Sequence, residues 1–177
     1  CWSVGPRSIR SALRASPTTA AETGGAVIEQ ARFAWGERTA VMGVLNLTPD
    51  SFSDGGRLAT VAKAVHAAGR MLAQGADLLD LGAQSTRPGA EEVGPTRELE
   101  RLLPALTAIR AAHPGALLSI DTFHAAVAEA ALAAGAHWIN DVSGGKSDPE
   151  MLGYVAALKV PYILMHWRGP SNIMNTL

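Results

Sequence analysis

Short apolar runs alternate with helical patterns along most of this sequence, and that alternation limits the folds it can adopt. The runs lie at about residues 41–46, 77–82, 117–121, 137–141 and 161–166. Strands separated by helical patterns of about 10–15 residues are typical of βαβ units and a parallel sheet. The alternation therefore predicts an α/β fold with a parallel sheet.

Three of the segments between the runs carry an apolar face at helical spacing. These faces begin at Val61, Leu99 and Val127, where apolar residues recur every three or four positions. Gly75 and Gly135 follow two of these segments. A helix often ends on a left-handed residue, and that conformation is easily adopted only by glycine. We therefore expect two of the helices to end just before these glycines.

Proline marks two further helix positions. Asp148 precedes Pro149, which is the order of an N-cap followed by the first helical residue. A fourth helix is therefore expected to begin at this pair. Pro104 falls inside the second helical pattern, where a missing N–H should kink or split the helix.

Polar residues stand at the C-terminal ends of several predicted strands. Asn46, Asp121, Asn140 and His166 each close an apolar run. A doubly wound sheet gathers its ligand contacts near one switch point, whereas a TIM barrel takes catalytic groups from the ends of many strands. The pattern therefore favours a TIM (β/α)₈ barrel. Such a barrel usually needs about 250 residues, so we expect this chain to supply about the first five β/α units.

Composition restricts the domain organisation and the class of protein. Of the 177 residues, 47% are hydrophobic and the net charge is −1, which indicates a globular chain without the basic face of a nucleic-acid binder. No apolar run approaches the roughly 20 residues of a membrane helix. The one cysteine, Cys1, allows no disulfide within the chain and favours a reducing, cytoplasmic location. We expect a disordered tail at 1–25, a hairpin at 26–38 and the barrel segment at 39–177.

The residue types at the strand ends indicate a small-molecule site. Asn46 offers a carbonyl oxygen to a hard cation such as Mg²⁺, which keeps waters and substrate phosphates as its other ligands. Thr86 and Arg87 suit phosphate or carboxylate oxygens. An Asp and an Asn on neighbouring strands, Asp121 and Asn140, suit the amino-pyrimidine edge of a flat heterocycle.

Other residues extend this site or leave its nature open. Met165 could pack against a ring or belong to the core. The loop at 48–57 carries carboxylates and hydroxyls and ends in two glycines. It is longer and more polar than a connecting loop requires, which is typical of functional loops, although an ordinary polar linker stays possible.

Four blocks resemble successive motifs of the dihydropteroate synthase family: MGVLNLTPDSFSDGGR, GAQSTRPGAEEV, LLSIDTFHAAVAEAALAAGAHWINDVSGG and ILMHWRG. The resemblance covers roughly residues 39–170. It implies a TIM barrel that joins 6-hydroxymethyl-7,8-dihydropterin pyrophosphate to para-aminobenzoate, giving dihydropteroate and pyrophosphate. It also implies a homodimer.

The resemblance further implies roles for particular residues. Asn46 would help to bind Mg²⁺ and pyrophosphate. Asp121 and Asn140 would hold the pterin ring, with Met165 packed beside it. Two mobile loops would complete the site, and their matching residues are Asp50 and Phe52 on the first loop and Thr86 and Arg87 on the second.

Departures from the family pattern leave alternatives open. Ala83 and Gln84 replace a Gly and a Glu, so any ordering of the second loop by that carboxylate is in question. The later motifs of the family are not in these 177 residues, and we expect the chain by itself to be incomplete and inactive. A pterin-binding paralogue without catalysis and a pterin-dependent methyltransferase domain are the alternatives.

Overall fold

The computed structural model describes residues 33, 36–47, 56–84, 93–167 and 169, with side chains in the first helix described from residue 60. All of these residues belong to the unit Phe33–Leu177, one of two into which the chain divides. The expected tail at 1–25 and most of the expected hairpin at 26–38 lie outside the described residues. Residues 36–38 form a turn.

The described residues form five strands and four helices in alternation. The strands are β1 (Met42–Asn46), β2 (Leu78–Gly82), β3 (Leu118–Asp121), β4 (Trp138–Asp141) and β5 (Tyr162–Leu164), and the helices are α1 (Gly56–Ala73), α2 (Pro95–Ala112), α3 (Ala125–Ala133) and α4 (Met151–Leu158). All strands pair in parallel in the order β1-β2-β3-β4-β5. The predicted strands are confirmed to within about two residues, which is the usual uncertainty of element boundaries.

Two helix ends follow the predicted chemistry. Gly75 and Gly135 have φ of 99° and 97°. In each case the residue after the glycine donates its N–H to a carbonyl five residues earlier, which is the Schellman arrangement. Lys159 ends α4 in the same left-handed region, with φ of 53°, although it carries a Cβ.

At two prolines the helix boundaries differ from those predicted. Helix α2 is continuous through Pro104, because the buried Leu102 and Ile109 on either side of it anchor the helix to the core. Helix α4 begins at Met151 rather than at the Asp148 pair. One oxygen of the Asp148 carboxylate accepts the N–H of Ala125 at the start of α3, at 2.7 Å, and the other accepts the N–H of Glu150 just before α4, at 2.9 Å, so Asp148 contacts the starts of both helices.

The two faces of the sheet differ in polarity. Alternate residues point to opposite faces of a strand, and one face packs leucine, isoleucine and alanine side chains against the helices. The opposite face, called here the inner face, carries three rows of side chains set by the strand register. Within the described helices, none is long and apolar enough to cross a membrane.

The inner face is apolar at one end only. Leu78 and Leu117 form its lowest row and cluster with Phe33, Met42 and Trp138. The rings of Phe33 and Trp138 meet edge to face, with centroids 5.8 Å apart. This cluster fills the N-terminal end of the inner face, so polar groups of the inner face lie toward the C-terminal ends of the strands.

Candidate functional site

Four strand-end residues form one row across the inner face. The register pairs Asn46 with Gly82, Gly82 with Asp121, and Asp121 with Asn140. Residues that pair across parallel strands point to the same face. The structure therefore brings together three of the predicted site residues, namely Asn46, Asp121 and Asn140, with a glycine between the first two.

Gly82 leaves room for the Asp121 carboxylate. A Cβ at position 82 would lie 3.2 Å from Asp121 Oδ2, 3.4 Å from its Cβ and 3.7 Å from its Cγ. The contact with Oδ2 is tighter than ordinary van der Waals contact, whereas the other two lie within its ordinary range. Because glycine has no side chain, the Asp121 carboxylate can occupy the centre of the row.

The environment of Asp121 favours its protonated form. Burial is the main reason that its pKa rises from 3.8 to about 7, because a carboxylate loses hydration there. The carboxylates of Asp80, Glu98 and Asp141 raise it further by repulsion. The pKa of Asp121 thus falls in the range where a carboxyl group can change its charge near neutral pH.

Asn140 is held from below by a second buried acid. Its Nδ2 donates to Asp80 Oδ2 at 2.9 Å, and Asp80 is only 2% exposed. Burial raises the pKa of Asp80, while the neighbouring Ser119 hydroxyl and the Asn140 amide partly offset this effect. Sequence reasoning missed Asp80, although a charged residue inside the apolar run Leu-Leu-Asp-Leu was a visible signal.

Asp141 adjoins Asn140 in the chain but serves the opposite face. Its carboxylate accepts the N–H groups of Ser143 and Gly145 and the hydroxyl of Tyr162, at 2.7, 3.0 and 2.6 Å. The buried carboxylate also raises the pKa of Tyr162, together with the burial of the phenol, which is the larger cause. Asp141 therefore fixes the turn after β4 and does not line the inner face.

A buried contact between Glu98 and His124 lies near the site and was not predicted. Glu98, 1% exposed, contacts His124 Nδ1 through Oε2 at 2.8 Å. Glu98 shares a face of α2 with the buried Leu102, Ala105 and Ile109. A glutamate on an apolar helix face was the sequence signal for this pair.

The remaining predicted residues are exposed or undescribed. Asn46 is exposed at the end of β1, and Met165 is 42% exposed just after β5. The contacts predicted for them, with Mg²⁺ and pyrophosphate and with the pterin ring, remain predictions. The predicted residues on the two loops, Asp50, Phe52, Thr86 and Arg87, lie outside the described residues.

Gln84 links the two ends of the second loop. Its side chain is 5% exposed, and its Oε1 accepts the backbone N–H of Val93 at 3.1 Å. Residues 85–92 lie between these two positions. A neutral amide oxygen therefore makes the backbone contact that a carboxylate oxygen could make at this position, so the replacement of the family's Glu keeps an acceptor there.

The described residues offer little to a metal ion by themselves. Within 36–47, 60–84 and 93–167, no group of three or more His, Cys, Asp or Glu side chains is placed to hold one. Mg²⁺ commonly binds one or two protein oxygens and takes its other ligands from water and phosphate. The exposed side-chain carbonyl oxygen of Asn46 fits that mode of binding, in which one protein oxygen is combined with water and phosphate ligands.

Residues 42–177 match the family model described as pterin binding enzyme. The chain belongs to this family. Dihydropteroate synthase from Synechocystis is 49% identical over 150 residues, which cover 85% of this chain and 52% of that relative. The chain thus spans about half the length of this curated relative.

Solved structures of the family confirm the fold class. Dihydropteroate synthase from Clostridium difficile, crystallised with pteroic acid, aligns with a TM-score of 0.73 at 41% identity, covering 77% of this chain and 51% of that one. The Xanthomonas albilineans enzyme with 4-aminobenzoic acid gives 0.69 at 49% identity, covering 75% and 48%. The five parallel strands and four helices are part of a TIM-barrel fold, as the strand-end pattern predicted.

Proposed function

We propose that this protein is a dihydropteroate synthase, which condenses 6-hydroxymethyl-7,8-dihydropterin pyrophosphate with para-aminobenzoate. The row of Asp121 and Asn140 on adjacent strands is the observation that carries the proposal. A carboxylate and an amide side by side offer acceptors and donors that match the amino-pyrimidine edge of a pterin. The inner face is filled by apolar side chains at one end and carries polar groups at the other, so a flat ring could lie between the two.

The two loops are proposed to hold the other reacting groups. Thr86 and Arg87 would contact the pyrophosphate and the carboxylate of para-aminobenzoate, because a guanidinium fork binds both kinds of oxyanion. Asp50 and Phe52 would close over the second substrate, and Met165 would pack against the ring. The contact between Gln84 and Val93 supports this role for the second loop, since it holds the loop's two ends beside the strand ends.

The proposed chemistry separates departure of pyrophosphate from attack by the amine. Positive charge develops on the carbon attached to the pterin as the C–O bond breaks, and an ionised Asp121 stabilises that charge electrostatically. Arg87 takes up the negative charge of the leaving group. The closed loops keep water away until the arylamine nitrogen forms the new C–N bond and loses its proton. Mg²⁺, if held by Asn46, would supply further positive charge at the pyrophosphate.

Location and assembly are also part of the proposal. A homodimer follows from the family resemblance alone. A cytoplasmic location is supported by the single cysteine, Cys1, and the consequent lack of an intrachain disulfide.

Pyrophosphate release tests the proposed reaction. The full-length protein is incubated with the pterin pyrophosphate, with and without para-aminobenzoate, and both pyrophosphate and dihydropteroate are measured. We expect aminobenzoate-dependent product and its loss in Asp121→Asn. Glu129→Gln removes an exposed carboxylate from α3 and serves as the matched control.

The same assay distinguishes the alternatives. Pterin binding without aminobenzoate-dependent product would identify a non-catalytic paralogue. Methyl transfer from a methylated folate, with no use of pterin pyrophosphate, would identify the methyltransferase. An Asp121→Asn variant that binds and turns over like the wild type would remove the proposed role of Asp121.

A further inference from the structure

Asp80 lies one row below the candidate site, in the middle of β2. The register pairs it with Val44 on one side and Ser119 on the other. Leu79 and Leu81, its neighbours in the strand, are fully buried against the helices. Asp80 therefore points to the opposite face from these leucines and brings a buried carboxylate into the inner face.

The contact with Asn140 has a direction. An ionised carboxylate only accepts hydrogen bonds, whereas an amide group donates through nitrogen and accepts through oxygen. The Asn140 amide must therefore turn its Nδ2 toward Asp80 Oδ2, as it does at 2.9 Å. This leaves Oδ1 and the second N–H of Asn140 to meet a ligand in the row above.

Three buried polar atoms of the middle row lack a well-formed hydrogen bond among the described residues, although the Ser119 hydroxyl lies close enough to the Asp80 carboxylate to lower its pKa. They are Asp80 Oδ1, Ser119 Oγ and Trp138 Nε1, and the register places Ser119 between the other two. Burying polar groups without partners is unfavourable to folding. A carboxylate in such a row is hard to explain by stability, which directs attention to what it does for Asn140.

We propose that Asp80 is a positioning residue that fixes the orientation of the Asn140 side-chain amide and so selects the edge of the heterocycle that the site accepts. The inference rests on the proposed pterin site. Asp80 also acts on Asp121, because its negative charge is one of those that favour the protonated carboxyl. One buried carboxylate thus controls both ring-binding residues without touching the ring.

The isosteric variant Asp80→Asn tests the proposal. An asparagine at position 80 can donate or accept, so it no longer dictates how the Asn140 amide lies. Loss of a hydrogen bond to a charged group should raise the Kd for 6-hydroxymethyl-7,8-dihydropterin about ten- to hundredfold, measured by titration calorimetry with the full-length protein. Ser119→Ala removes the hydroxyl beside Asp80 without touching the amide contact and should leave the Kd close to the wild-type value.

Exchanging the two residues provides a rescue. In the double variant Asp80→Asn/Asn140→Asp, the amide donates from position 80 and position 140 again presents an oxygen to the ligand. We expect its Kd to lie closer to the wild-type value than that of either single variant. A rescue would not occur if the Asp80 carboxylate contacted the ligand itself or only stabilised the fold.

The outcomes separate this inference from the proposed function. A wild-type protein that binds no pterin would overturn the proposed function. The Asp80 contact would still be tested, because Asp80→Asn should change the NMR shifts and proton exchange of the Asn140 side-chain amide. A wild type that binds pterin, with Asp80→Asn binding equally well and an unchanged amide signal, would overturn the positioning role.

Discussion

Replacing Asp121 by Asn should stabilise the ligand-free protein while abolishing its proposed activity. The substitution keeps the shape of the side chain and removes a charge that burial and three nearby carboxylates disfavour. When the ionised form of a residue is less favourable in the native state than in the unfolded state, the residue lowers the free energy of unfolding at every pH at which it is ionised. The prediction therefore concerns stability as a function of pH.

The magnitude follows from the pKa of Asp121. Raising it from 3.8 to about 7 in the native state corresponds to about 4 kcal/mol, at 1.36 kcal/mol for each tenfold change. Because the native pKa is the higher one, the native state binds more protons between these values, and wild-type stability falls as pH rises from 3.8 to about 7. The advantage of Asp121→Asn is therefore small near pH 4 and largest above pH 7, where we expect about 2–4 kcal/mol.

Urea denaturation of both proteins at about pH 4 and about pH 8 measures this difference. Glu129→Gln corrects for the general effect of removing one negative charge. The reasoning would be refuted if Asp121→Asn were no more stable than wild type at the higher pH. A gain of equal size at both values would show that packing, and not the carboxylate charge, is responsible.

Three further predictions test the geometry. Gly82→Ala should displace the Asp121 carboxylate and weaken pterin binding about tenfold, whereas an unchanged Kd would show that the row tolerates a Cβ. Lys159→Gly should raise the free energy of unfolding by about 1 kcal/mol, and Gly75→Ala, whose added Cβ meets nothing within 4 Å, should lower it by about 1 kcal/mol, because both changes act on a left-handed residue. Urea denaturation measures both changes in the free energy of unfolding, and changes of the same sign in the two variants would contradict this explanation. Gln84→Met removes the acceptor at the base of the second loop and should raise the KM for aminobenzoate, while Gln84→Glu should not.

The order and direction of the strands could be predicted because they depend on short-range signals. Apolar runs, helical faces and the glycines at 75 and 135 each reflect local conformational preferences. The helix through Pro104 was harder to predict, because a continuous helix there depends on how well Leu102 and Ile109 pack. The role of Asp148 depends on Ala125, a residue of another helix. Neither contact between distant segments can be inferred from a local pattern.

The row of site residues at the strand ends could be predicted from the sequence, but the buried acids that act on this row could not. Asn46, Asp121 and Asn140 stand at strand ends, where parallel strands bring side chains to one edge. Asp80 and Glu98 lie inside elements, and their importance depends on which face they occupy. That face follows from the register and from helix packing, so the polar groups that control Asp121 emerge only in three dimensions.

The row that contains Asp121 lowers the stability of the fold and also favours the binding of a ligand. Within the described residues, every charge that shifts the pKa of Asp121 is negative. A ligand that brings N–H donors or developing positive charge would relieve that repulsion and favour the ionised carboxylate. Binding should therefore release a proton where Asp121 starts protonated. Because the donors or the positive charge of the ligand compensate the Asp121 carboxylate, the same residue that weakens the empty protein stabilises its complex.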